Sequence, residues 1–165
     1  MTLDPLAPPS LALPDRVYVN RNLRLSSVGA IGFDMDHTLA LYNPRTFEKL
    51  CFELALAWLV ERKSYPARIR SLVYRPEQAQ RGLVVDKRLG NVLKTDGYGY
   101  VSRVRHGLRF LTREERRDVY KRGRLRLTPG RFRVFDTLFD LPEGCLYTEL
   151  VALKDAEPEL VPASY

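Results

Sequence analysis

GAIGFDMDHTLALYN, residues 29–43, places Asp34 and Asp36 at the end of a short apolar run. Ala30–Phe33 is apolar, Gly29 and Gly32 punctuate it, and polar residues begin at Asp34. That pattern fits a fully buried strand of a parallel sheet, although so short a run does not by itself exclude a helical segment. Asn43 followed by Pro44 then marks a helix start, a capping residue before proline at the first helical position. Phe47, Leu50, Cys51, Leu54 and Trp58 recur at helical spacing and predict one apolar face out to about Arg62. Strand, loop and long helix together form the opening of an α/β unit.

Farther along, a short helical piece is expected from Pro66 to about Tyr74, and there the period changes. GLVVD, NVLKTD and YVSRVRH are short segments parted by KRLG and GYG, the pattern of a β-meander. A basic helix is expected over Thr112–Arg122. RFRVFDTLF reads as a strand entering a turn at Leu141-Pro142-Glu143-Gly144, with CLYTELVALK as a further helix.

The chain has 165 residues, 45% of them apolar, which is enough for one domain with a real core or for part of a larger one. No apolar run is long enough to span a bilayer. MTLDPLAPPSLALPDR lacks a basic region followed by a long apolar one, so it is not read as a secretory signal. Its prolines (Pro5, Pro8, Pro9, Pro14) predict an extended tail over residues 1–15. Cys51 and Cys145 have no CxxC spacing and are expected to be reduced thiols of a cytoplasmic protein. The net charge of +7 is concentrated: Arg103–Arg133 holds twelve Lys or Arg against Glu114, Glu115 and Asp118. Such a block attracts polyanions. Nucleic acid is not the expected partner, because the block lacks interleaved aromatics and any binding motif.

Carboxylates at i and i+2 beside one reaction centre repel unless a divalent cation neutralises one and the other is protonated for part of the cycle. Phosphoryl transfer suits that arrangement. Asp34 is the candidate nucleophile and Asp36 the candidate acid and base. Mg²⁺ would bridge Asp34 and a phosphate, and Thr38 with the backbone N–H groups after Asp34 (Met35, Asp36) would hold its oxygens. A capped surface turn explains the pair without any chemistry, but the fuller string of apolar run, Asp, x, Asp, x, Thr, Leu is far narrower than DxD alone.

GFDMDHTLALY resembles the first motif of the haloacid-dehalogenase superfamily. More narrowly it resembles the cytosolic purine (IMP/GMP-specific) 5'-nucleotidases and their bacterial relatives. VYVNRNL, RGLVVDKRLGNVLKTDGYGYV, HGLRFL and VFDTLFDLPE follow that family's order of segments, so the likeness runs from about Arg16 to Tyr147. It implies an α/β fold: a Rossmann-like core beginning within residues 16–63, then part of an α+β cap with the meander over 64–165. It also implies a Mg²⁺-dependent hydrolase of 6-oxopurine nucleoside monophosphates, in a family that tends to form homo-oligomers. Asp34 and Asp36 match the nucleophile and the acid/base, both at the metal. Phe139 matches an aromatic that faces the purine, and Asp140 stands where asparagine is expected. Phe110, Arg126 and Asp136 match positions of an effector site in animal members, Asp136 again replacing asparagine. Without the resemblance, Phe110 and Phe139 are ordinary core aromatics, Arg126 is a solvated cation, His37 an exposed turn residue and His106 structural. The family's later Ser or Thr, its phosphate-binding Lys and its acidic pair have no credible match after residue 150. The expectation is therefore an amino-terminal portion with little or no turnover. The alternative is a non-catalytic module that binds a nucleotide or a protein.

Overall fold

The computed structural model describes residues 24–121 and 123–161, and of Leu25 only the backbone. The proline-rich tail, VYVNRNL and Arg122 lie outside the described residues. The chain divides into two compact units, Met1–Leu41 and Tyr42–Tyr165.

In the first unit the described chain has a 3₁₀ turn, Leu25–Ser27, and then irregular backbone into the loop at Asp34. The buried strand expected over Ala30–Phe33 is not formed: the run has no ladder, and Ile31 and Phe33 are 68% and 70% exposed. A parallel strand is held by neighbours on its edges, and no strand among the described residues pairs with this one.

The second unit opens with α1, Pro44–Lys63. The start is as expected: the Asn43 side chain accepts from Thr46 N–H at 3.3 Å, and Pro44 occupies the first turn. The helix stops at Ser64, whose left-handed φ of 56° lets its N–H return to the Leu59 carbonyl. Its buried face, however, is not the expected one. Phe52 and Leu56 are buried, packed with Ile69, Cys145, Leu146 and Leu153, whereas Leu50, Leu54 and Trp58 are at least half exposed. Apolar residues stand on both sides of this helix, and Phe52-Ala55-Leu56-Leu59 has helical spacing as good as Leu50-Leu54-Trp58. The face that won is the one on which the last helix docks.

A 3₁₀ turn, Ala67–Ser71, replaces the expected helical piece. Next comes the meander: β1 Leu83–Asp86, β2 Asn91–Thr95, β3 Val101–His106 and the two-residue β4 Arg109–Phe110. Gly90 and Gly99 adopt φ of 68° and 85° in the first two turns, a conformation that needs no Cβ. α2, Arg113–Tyr120, carries a capping box in which Thr112 and Glu115 satisfy each other's backbone N–H. The chain then returns so that β5, Phe132–Val134, pairs with β1, giving an antiparallel sheet of order β4-β3-β2-β1-β5. Val84, Leu93, Val104 and Phe132 form the core on one face, and Val85, Val92 and Phe135 on the other.

The segment LPEG, expected as a turn, is instead the first turn of α3, Leu141–Ala156, with Pro142 where helices tolerate it. α3 covers the Val85–Val92 face and approaches so closely that a Cβ on Gly144 would lie 2.6 Å from the Phe135 ring. Thr148 and Gln78 lock it to the 3₁₀ turn Pro76–Gln78: the Thr148 hydroxyl lies 2.6 Å from Gln78 Oε1, and Gln78 Nε2 donates to Glu149 at 2.9 Å. Arg75 pairs with the buried Glu149, so that carboxylate is not left alone. Cys51 and Cys145 are both free thiols, as expected. No helix among the described residues is long and apolar enough to cross a membrane.

Candidate functional site

Asp34, Met35, Asp36 and Thr38 sit on one tight loop in the first unit. The Met35 carbonyl accepts from Thr38 (3.4 Å), Leu39 (3.0 Å) and Ala40 (2.8 Å), and His37 N–H donates to the Ala40 carbonyl at 2.8 Å. His37 takes the left-handed φ of 59° that closes the turn. All backbone donors from His37 to Ala40 are therefore consumed inside the loop. Among the described residues the Met35 N–H and the Thr38 hydroxyl have no hydrogen-bond partner, so an anion at this loop would find donors there. Asp34 is exposed and Asp36 half-buried, so neither carboxylate is sealed from an incoming substrate.

Among the described residues no group of three or more His, Cys, Asp or Glu side chains is placed to hold a metal. Asp34 and Asp36 are hard oxygen donors of the kind Mg²⁺ takes, but two residues supply only part of an octahedral set. They fit the cation in part, with the balance left to water and substrate oxygens.

The remaining expected residues lie in the second unit. Phe139, in the 3₁₀ turn Leu138–Asp140, is 48% exposed, so it is no core aromatic. Its ring meets Phe47 edge-on at 5.9 Å, and Phe47 stacks on Tyr42 at 5.0 Å. Asp140 is committed locally: Oδ2 accepts from the Thr137 N–H (3.0 Å) and hydroxyl (2.8 Å), and Oδ1 from Arg133 (3.2 Å). Its partial burial works to raise the carboxyl, but these hydrogen bonds outweigh it and hold Asp140 below the usual carboxylate range. An asparagine there would have an N–H to offer a base, and this carboxylate has none.

Phe110, Arg126 and Asp136 do not form one cluster within the chain. Phe110 is on β4, at one edge of the sheet, and is 55% exposed. Asp136 follows β5 at the opposite edge, four strand spacings or roughly 19 Å away. Arg126 is exposed in the connection between α2 and β5. His106 is structural, its ring between Asn91 Oδ1 (2.7 Å) and Asp155 (2.9 Å).

Sequence reading missed the partner of Asp140. Arg133 bridges Asp140 and Glu143, a pairing set by the return of the chain to β5 and not by local spacing. It also took Phe47 for a member of a buried face, where the structure makes it the support of Phe139.

Comparison with known proteins places these features in a common frame. The model of the 5' nucleotidase family matches residues 17–164. A 5'-nucleotidase domain-containing protein of Dictyostelium discoideum is 34% identical over 142 residues. That alignment takes in 84% of this chain and 24% of the relative, so the chain spans about a quarter of that protein's length.

Proposed function

Because the chain belongs to the 5'-nucleotidase family, we propose that it carries the nucleophile loop of a phosphohydrolase that removes the 5'-phosphate from purine nucleoside monophosphates, IMP and GMP. The observation that carries this reading is the Asp34–Ala40 loop, whose two accessible carboxylates stand beside the Met35 N–H and Thr38 hydroxyl. Asp34 attacks phosphorus and displaces the nucleoside oxygen, giving an aspartyl-phosphate. Asp36 in its acid form protonates that oxygen. As a carboxylate it then takes the proton of the water that attacks the aspartyl-phosphate, which releases orthophosphate and restores Asp34. Asp34 and Asp36 would hold Mg²⁺, which when bound supplies neutralising charge for the crowded oxygens.

In this reading the purine lies against the exposed Phe139, whose ring Phe47 meets edge-on while itself stacked on Tyr42. The exposed Ile31 and Phe33 stand two residues apart and would share one face of the strand leading to Asp34, a face that a Rossmann-like core of the haloacid-dehalogenase type would bury. A second reading, a module that binds nucleotide without turning it over, is favoured by the lack of a third metal-ligating side chain among the described residues.

The test is phosphate release from IMP and GMP with Mg²⁺, measured for this chain, for Asp34→Asn and for a polypeptide extended to the relative's length. Turnover in the extended form that vanishes with Asp34→Asn supports the hydrolase. IMP binding with no turnover in any form leaves the module.

A further inference from the structure

The turn between β2 and β3 has a locked backbone. Asp96 Oδ1 accepts from the N–H groups of Tyr98 and Tyr100, both at 2.9 Å, and the Gly99 N–H donates to the Asp96 carbonyl at 3.0 Å. The two tyrosine side chains are left outside it: Tyr98 is 72% exposed and Tyr100 42%.

The basic block reaches this turn from a distant part of the chain. On its way from α2 to β5 the backbone meets the turn, with the Leu125 N–H donating to the Gly99 carbonyl and Arg124 Nε to the Tyr98 carbonyl, both at 2.8 Å. Two residues beyond Tyr100, the Ser102 carbonyl accepts from Arg116 of α2. Each guanidinium is thus fixed through one nitrogen. Among the described residues neither pairs with a carboxylate, and their other nitrogens have no hydrogen-bond partner. Glu114, Glu115 and Asp118 on α2 offset part of the charge, Glu115 being engaged by Arg109, but no carboxylate occurs from Val119 to Phe135.

An exposed tyrosine alone is ordinary, and so is an arginine bonded to a carbonyl. Their combination on one rigid turn is not. Rings already held in place lose little freedom when a flat partner lies on them. Every nucleobase has a face to stack on tyrosine, and a guanidinium fork suits phosphate oxygens. In a duplex the base faces are closed against one another, so the partner that uses both groups is unpaired.

We infer that the Tyr98–Tyr100 turn, with Arg116 and Arg124, binds single-stranded nucleic acid, its bases stacked on the tyrosines and its phosphates on the guanidinium groups. The surface uses neither Asp34 nor Asp36 nor Phe139 and stands apart from the hydrolase reading.

The test is fluorescence anisotropy of the full chain with labelled oligo-dT and oligo-U of about ten nucleotides, within the site sizes of such surfaces, over a series of salt concentrations. A duplex of the same length is the comparison. Single strands are expected to bind about fivefold tighter than the duplex or better, and Tyr98→Ala to weaken them by about fivefold or more, the lower end for one stacked base. Tyr98→Phe keeps the ring and should bind as the parent does. Arg124→Gln should flatten the slope of log K against log salt by about 0.7, one phosphate contact on a single strand, and Arg124→Lys should retain it. An unchanged Tm in Tyr98→Ala shows that lost binding is not lost folding. Tighter binding of oligo-U assigns the surface to RNA, and tighter binding of oligo-dT to DNA. Duplex binding equal to single-strand binding, or affinity unchanged when Tyr98 and Tyr100 are both alanine, overturns the inference. So does adsorption to phosphatidylserine vesicles without any binding of oligonucleotide, which would assign the patch to a lipid surface.

Discussion

Arg131 lays its guanidinium across the fully buried carboxylate of Asp86, Nε 2.9 Å from Oδ1 and a terminal nitrogen 2.7 Å from Oδ2. Tyr120 donates to Oδ2 at 2.9 Å, and Asn91 donates to the Tyr120 oxygen at 2.8 Å. The network therefore ties β1 and β2 to α2 and to the segment entering β5. A charge buried in this way is tolerable only while paired, and removing one partner of such a pair costs about 3–5 kcal/mol. Arg131→Met is expected to lose about 3 kcal/mol, the lower end, because its side chain is 34% exposed and water softens the loss. Urea unfolding of the two proteins measures it.

The same carboxylate sets an acid limb. Burial works to raise Asp86, but the hydrogen bonds from Arg131 and Tyr120 outweigh it and hold the group below the usual carboxylate range. A carboxyl lowered by folding contributes stability above its unfolded value, and that stability is lost as pH falls through the folded value. The urea midpoint should thus fall from about pH 4 downward, and Asp86→Asn, weaker at neutral pH, should show a shallower fall. Equal acid slopes in the two proteins would contradict the assignment.

Cys145 lies on the buried face of α3, its thiol 3.1 Å from the Arg75 carbonyl. Burial pushes it up to about 12, so at neutral pH it offers neither thiolate nor access. Cys51 is half-buried on α1. A thiol reagent at pH 8 should therefore modify one cysteine in the native chain and two in urea, with Cys51→Ser abolishing the native reaction.

What was legible in the sequence was local. Asn43-Pro44 and Thr112 with Glu115 cap helices through bonds that span three residues, and glycines at 90 and 99 punctuate the meander. What was illegible depends on distant chain. Ala30–Phe33 is apolar enough for a central strand, but a strand exists only with partners, and none of the described residues supplies one. LPEG reads as a turn until α3 is seen to need Pro142 at its start. The Asp34–Asp36 loop was visible because its motif is contiguous. The meeting of Arg124 with the Tyr98 turn was not, because it exists only once the chain leaving α2 returns to the β2–β3 hairpin.

The sharpest ambiguity was the face of α1, and a pair of substitutions resolves it. Leu56 is 4% exposed in the cluster with Ile69, Cys145 and Leu153, so Leu56→Ala leaves a cavity and should cost about 2–5 kcal/mol. Leu54 is 60% exposed two positions away, on the other side of the helix, and alanine is the better helix former. Leu54→Ala should therefore change the stability of this chain by no more than about 0.5 kcal/mol. The two residues share chemistry, helix and neighbourhood in sequence, so the difference between the two measurements reports packing alone. Equal losses would mean that the Leu50-Leu54-Trp58 side is covered in solution, and a second copy of the chain would be the first suspect, to be settled by sedimentation of the same samples.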